Sequence, residues 1–209
     1  MSHKYIQEIE GRELPEFNRM QTVKRRFFAM RNGALAEQMR RGGLNYRINF
    51  GLNVPQIKEI AQETVQAIPS EHERMELAVA LWQNDTTRES RLMAPMIMPT
   101  TLVSAEQAYQ MLLEAQTTEV ADMLCHSLLR HLSGAEDMAY TVISNSDASD
   151  INRYTALRLL LNLLMQNRAQ PERLSPVADD ELQRQCALTR GVTRQIIEEI
   201  EFLLEDEDN

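Results

Sequence analysis

The sequence predicts an all-α protein, a stack of antiparallel helix pairs, and three observations point to it. Helix-start signals recur along the chain at intervals too short for alternating strands and helices. The apolar residues between them fall at i, i+3 and i+4 spacing. The aromatic content of 5%, the seven glycines and the thin supply of β-branched runs count against a β-sandwich or barrel. With 209 residues, 43% hydrophobic and 25% charged, the chain is long enough for a sizeable core and too apolar for a disordered or low-complexity class.

Taken in order, a basic helix is expected around Met20 to Met30 and a short one after Gly33. Asn53-Val54-Pro55-Gln56 then sets a capping residue before a first-turn proline, and Ile57, Ile60, Ala61, Val65 and Ile68 follow on one face until Pro69 closes the helix. Ser70 with Glu73 reads as the capping box of the next helix, whose stripe is Met75, Ala78, Val79 and Trp82 and which breaks at Asn84-Asp85. Thr86 with Glu89, Ser104 with Gln107 and Ser133 with Glu136 start three more. Between them, 118 to 132 carries Val120, Ala121, Leu124, Leu128 and Leu132; 150 to 166 is apolar nearly all round from Leu157 to Met165 and must be deeply packed. Ser175-Pro176 opens a helix at 177 to 189, and 193 to 204 closes the series with Ile196, Ile197, Ile200, Leu203 and Leu204.

So many helices of 12 to 16 residues joined by short loops predict a single helical-repeat domain over 1–209, a HEAT-like α-α superhelix, or solenoid, of antiparallel pairs. Pro95, inside its helix, fits the kinked first helix of such a pair. A strict residue-level repeat is missing, which leaves a globular α-α bundle as the alternative.

Charge is unevenly spread. Residues 1–60 hold eleven Lys/Arg against six acids, the rest eleven against twenty-five, and the last dozen residues carry seven acids and no base. A basic N-terminal part (1–60) and a short acidic C-terminal tail (205–209) follow, the first suited to a polyanion and both compatible with plain solvated helix faces. Cys125 and Cys186 sit in apolar helical runs without CxxC spacing, so neither a disulfide framework nor a thiolate metal site is implied. No apolar run reaches the length of a membrane span, and Met1-Ser2-His3-Lys4-Tyr5 does not begin a signal peptide, so a cytoplasmic location and no membrane partner are expected.

Phe50-Gly51-Leu52-Asn53-Val54-Pro55 resembles the aromatic-Gly-x-x-Val-Pro segment of the AlkD-like DNA alkylation repair family. The Leu81-Trp82 pair and Glu89-Ser90-Arg91-Leu92-Met93-Ala94 resemble that family's Leu-Trp and Glu-x-Arg-x-x-Ala motifs at a similar separation, and the match extends over about residues 45–165. The resemblance implies a HEAT-like repeat that holds duplex DNA on a basic concave surface, with glycosylases that release N-alkylated purines. An alkylated purine is already a cationic leaving group, so such an enzyme needs little acid catalysis; it must stabilise an oxocarbenium-like sugar and place a water. No cofactor and no metal is implied.

The family's Trp-Asp-x-x-Asp segment aligns with Thr118-Glu119-Val120-Ala121-Asp122, which carries the catalytic carboxylate over to Asp122. Helical spacing sets Glu119, Asp122, His126 and Arg130 along one polar face. The family's aromatic next to the lesion is Thr118 here, and its phosphate-holding arginine is Tyr154, with Arg153 one residue early and Arg158 one turn later on the same face as Asn162. Lys24, Arg25, Arg26, Arg91, Arg130, Arg153, Tyr154 and Arg158 are the expected nucleic-acid-binding residues. Two functions stand: a DNA alkylation repair protein that binds duplex DNA and excises N-alkylated purines, and a catalytically inert HEAT-like scaffold that binds protein or nucleic acid.

Overall fold

The computed structural model describes residues 19–207, which contain eleven α-helices, two 3-10 turns and no strand beyond one isolated parallel bridge between Ile48 and Thr87. Residues 1–18 of the basic N-terminal part and residues 208–209 of the acidic tail lie outside the described residues. The protein is all-α, with helix-on-helix packing compatible with a helical repeat, and it divides into two compact units at Ile97/Met98.

The first unit holds α1 (Arg19–Ala29), α2 (Gly33–Arg41), α3 (Val54–Ala67), α4 (Glu71–Gln83) and α5 (Arg88–Ile97). Helix α3 starts as its sequence dictates. The Asn53 side chain accepts from the Gln56 amide at 2.9 Å and the Gln56 side chain accepts from the Asn53 amide at 3.0 Å, with Pro55 in the first turn. Its stripe is buried at Ile57, Ile60 and Ala61, whereas Val65 is exposed and Ile68 half-buried. Ser70 caps α4 through the Glu73 amide, but the Glu73 carboxylate pairs with Arg19.

The expected box of Thr86 and Glu89 does not form. Thr86 donates instead to Asn84, and Glu89, fully buried, turns its carboxylate onto the loop before α3. Oε1 accepts the amides of Phe50 (3.2 Å), Gly51 (3.1 Å) and Leu52 (3.3 Å), and Arg88, equally buried, lies 3.2 Å from the same oxygen and donates to the Leu52 carbonyl at 2.8 Å. A buried charge persists only when hydrogen bonds and an opposite charge satisfy it, and this one has both. The loop therefore depends on Glu89 as well as on Gly51. At φ 73°, a Cβ on Gly51 would stand 2.1 Å from the Asn32 carbonyl oxygen.

The second unit begins with a 3-10 turn (Thr100–Leu102), then α6 (Ala105–Leu113), α7 (Thr118–Ser127), a second 3-10 turn (Leu129–His131), α8 (Ala135–Ser144), α9 (Asp150–Leu164), α10 (Pro171–Gln183) and α11 (Arg190–Glu207). Helix α9 is the central element, packed against α6, α7, α8 and α11. Six leucines between 157 and 164 are almost fully buried along it, each contributing roughly 1.5–3 kcal/mol of burial. Met165, at the helix end, is 62% exposed and escapes that core.

Two expected starts move. The residue before α8 is Gly134, left-handed at φ 71°, so Ser133 is not the cap. Helix α10 starts six residues before the position assigned from Ser175-Pro176, because Pro171 supplies the first-turn proline and Pro176 lies inside the helix. No described helix is long and apolar enough to cross a membrane, and both cysteines are free thiols.

Candidate functional site

The site is assembled on α7 and α9. Thr117 caps α7 by accepting the Val120 amide at 3.3 Å, and Val120, Ala121 and Leu124 turn inward, so Asp122 comes to the edge of the buried face with its side chain 47% exposed. Tyr154 and Arg158 stand one turn apart on α9 and meet it there. The Tyr154 hydroxyl donates to Asp122 Oδ1 at 2.8 Å, Arg158 Nε lies 2.8 Å from the same oxygen, and Arg158 Nη2 donates to the Tyr154 hydroxyl at 3.1 Å. Gln195, from α11, accepts from Arg158 Nη1 at 3.2 Å.

Burial pushes the Tyr154 phenol above its ordinary value, and the negative charge of Asp122 adds to this against the opposing effect of Arg158. Tyr154 is therefore a protonated donor at neutral pH. Beneath it the Cys125 thiol is pushed far up by burial first and by Asp122 second, and donates to the Thr155 carbonyl at 3.3 Å. That leaves it a structural thiol rather than a nucleophile.

The other sequence-derived candidates fall in different places. Arg91 is buried, with its guanidinium 3.7 Å from the centroid of the Trp82 ring and donating to the Trp82 carbonyl at 2.7 Å. Arg153 is also buried, donating from Nε to Glu181 Oε2 at 2.9 Å and from Nη1 to the Ile143 carbonyl at 2.8 Å, while Thr189 donates to the other Glu181 oxygen at 2.8 Å. Both arginines serve the interior. On α1, Phe27 is buried and Phe28 is 55% exposed, Arg25 and Arg26 are exposed, and Lys24 is half-buried. Arg26 pairs with Glu63.

The polar face expected along one helix from Glu119 to Arg130 is interrupted. Helix α7 ends at Ser127, and Arg130 belongs to the following 3-10 turn, where Nε donates to His131 Nε2 at 3.2 Å and Nη2 lies 3.4 Å from His126 Nε2. The partners of Asp122 thus come from α9, not from its own helix. Thr118 is the first residue of α7 and is half-buried. Gln195 had no local signal in the sequence, since it reaches Arg158 across thirty-seven residues. Among the described residues no group of three or more His, Cys, Asp or Glu is placed to hold a metal ion.

A family model described as DNA alkylation repair enzyme matches residues 23–190. No curated protein and no solved structure matches the chain.

Proposed function

The chain belongs to the DNA alkylation repair enzyme family, and from that premise we propose that it binds duplex DNA and hydrolyses the N-glycosidic bond of N-alkylated purines. The observation that carries this reading is the half-exposed Asp122 carboxylate, fixed through Oδ1 by Tyr154 and Arg158. A carboxylate held by one hydrogen bond from Tyr154 and by the charge of Arg158 costs little reorganisation when positive charge develops on a neighbouring sugar. The alkylated base departs as a neutral purine without being protonated, so the site needs no general acid. Asp122 stabilises the oxocarbenium-like sugar, orients the water that attacks it and accepts the proton which that water loses as the new C–O bond forms, passing it on to solvent, while Arg158 and the phenol hold the carboxylate in place.

Phosphate contacts would come from cations with access to solvent, the exposed Arg25 in the first unit and the half-buried Arg130 in the second among them, since Arg91 and Arg153 are engaged in the interior. A second reading, a DNA-binding module without excision, is favoured by Thr118, which offers no aromatic wall for a flat cationic base.

Base release from methylated duplex DNA, compared between the wild type and Asp122→Asn, separates them. Release by the wild type that falls about a hundredfold or more in the variant is the result expected of the glycosylase. Salt-sensitive duplex binding without release by either protein would leave the binding module. Neither binding nor release at low salt would overturn the nucleic-acid reading.

A further inference from the structure

Helix α11 carries its charge the wrong way round for its own stability. The macrodipole favours acids in the first turn and bases in the last. Here Arg190 and Arg194 stand at the N-terminal end, the first turn holds no acid, and all six acids of the helix come from Glu198 onward. Arg194 is exposed and makes no ion pair or hydrogen bond among the described residues, although Glu198 follows it by one turn. Gly191 is equally unexplained by packing. A Cβ there would meet nothing within 4 Å and the residue is not left-handed, so nothing in the free protein asks for a glycine, which costs a helix stability relative to alanine.

Residues 191, 194 and 195 are neighbours on the exposed side of α11, and Gln195 ties that side to Asp122. Its Oε1 accepts from Arg158 Nη1 at 3.2 Å, and a guanidinium only donates, so the oxygen is the end turned inward. The amide nitrogen, with two N–H groups and no protein partner among the described residues, is left at the surface. One guanidinium therefore separates this donor from the candidate carboxylate, whose Oδ1 lies 2.8 Å from Arg158 Nε.

We propose that Gln195 and Arg194 hold a phosphodiester of the strand whose sugar faces Asp122. The Gln195 amide donates to a phosphate oxygen, Arg194 supplies the positive charge, and Gly191 leaves room for the strand to come close. This rests on the proposed function and adds to it the side chains that set the strand in register with the carboxylate. A nucleotide sugar in a strand is flanked by a phosphate on each side, so a donor one guanidinium away from a carboxylate facing the sugar stands where a flanking phosphate falls. Both side chains lie beyond residue 190, where the family match ends, so the contact belongs to this chain's own sequence. The acids from Glu198 onward repel a backbone, so the strand leaves past the first turn of α11 rather than along its length.

The test measures binding of a duplex with a tetrahydrofuran abasic site, over a range of salt, to the wild type, Gln195→Glu and Arg194→Gln, with folding checked by circular dichroism. In Gln195→Glu the new carboxylate still accepts from Arg158, so the surroundings of Asp122 are kept while the donor is replaced by a negative charge. Affinity should fall about tenfold or more in Gln195→Glu, and the salt slope of log K should fall by about one in Arg194→Gln. A neutral methylphosphonate is then placed at each phosphate flanking the abasic site in turn. At the contacted phosphate the loss in Gln195→Glu should shrink to within about twofold. No loss in Gln195→Glu, or the same loss at both flanking positions, overturns the phosphate contact, and an unchanged slope in Arg194→Gln removes that side chain from it. A wild type that binds while Gln195→Glu binds equally well sinks this inference alone. A wild type that binds no duplex at low salt sinks the nucleic-acid reading and this contact with it.

Discussion

Glu89 Oε1 accepts the Gly51 amide at 3.1 Å, from thirty-eight residues further along the chain. A carboxylate that reads as a helix-start residue is therefore the anchor of a loop elsewhere in its unit. With Arg88 buried beside it, Glu89→Gln removes one half of a desolvated pair. The expected loss is about 3–5 kcal/mol, measured by urea denaturation. A loss below about 1 kcal/mol would mean that the pair is not buried in solution.

Gly51→Ala tests the other end of that contact. The added methyl meets the Asn32 carbonyl at 2.1 Å and must also adopt a left-handed φ of 73°. Destabilisation of at least about 2 kcal/mol is expected, and Asn32 to Ala36, where the clash falls, should lose amide-exchange protection first.

Tyr154→Phe deletes one donor to Asp122 and leaves the ring. Stability should fall by about 1 kcal/mol. If the phenol positions the carboxylate, base release falls by about tenfold, and the double variant with Asp122→Asn is no slower than Asp122→Asn alone. Additive losses in that double variant would show that the two residues act independently.

Alkaline stability reports the buried phenols. Burial first and Glu136 second push Tyr140 up to about 12, and Tyr154 is raised as well. A phenol with a raised folded-state pKa contributes stability that is fully present below about 10, its unfolded value, and is lost as the pH rises through the folded value. Denaturation midpoints should hold to near pH 10 and fall above it, and Tyr140→Phe should flatten that fall. Absorbance at about 295 nm should show the Tyr140 and Tyr154 phenols titrating late.

Arg91→Ala and Arg153→Ala should lower stability, through the lost stacking on Trp82 and the loss of the guanidinium at Glu181 Oε2, which leaves that buried carboxylate only Thr189 and the longer contact to Arg184, without changing the salt slope of DNA binding. Arg25→Ala should do the reverse, lowering the slope by about one at little cost in stability. A slope change in Arg153→Ala would place that side chain at the ligand.

The sequence by itself determined the helical class, most helix starts and the heavy burial of α9. These are local properties: Asn53 and Gln56 satisfy each other's amides within one turn, and a leucine-rich run from 157 to 164 has no polar face wide enough to stay in water. It also placed Asp122 at an accessible position, because helical spacing alone opposes it to Val120 and Leu124. Tertiary structure decided everything that depends on which helices meet. Glu89 reads as a capping residue until the Phe50–Leu52 loop is set against it, Tyr154 reads as a missing arginine until α9 brings its hydroxyl to Asp122, and Arg153 reads as a phosphate contact until Glu181 is buried beside it. Polar side chains can be satisfied by near or distant partners at similar energy, so their roles are fixed only when packing selects the partner.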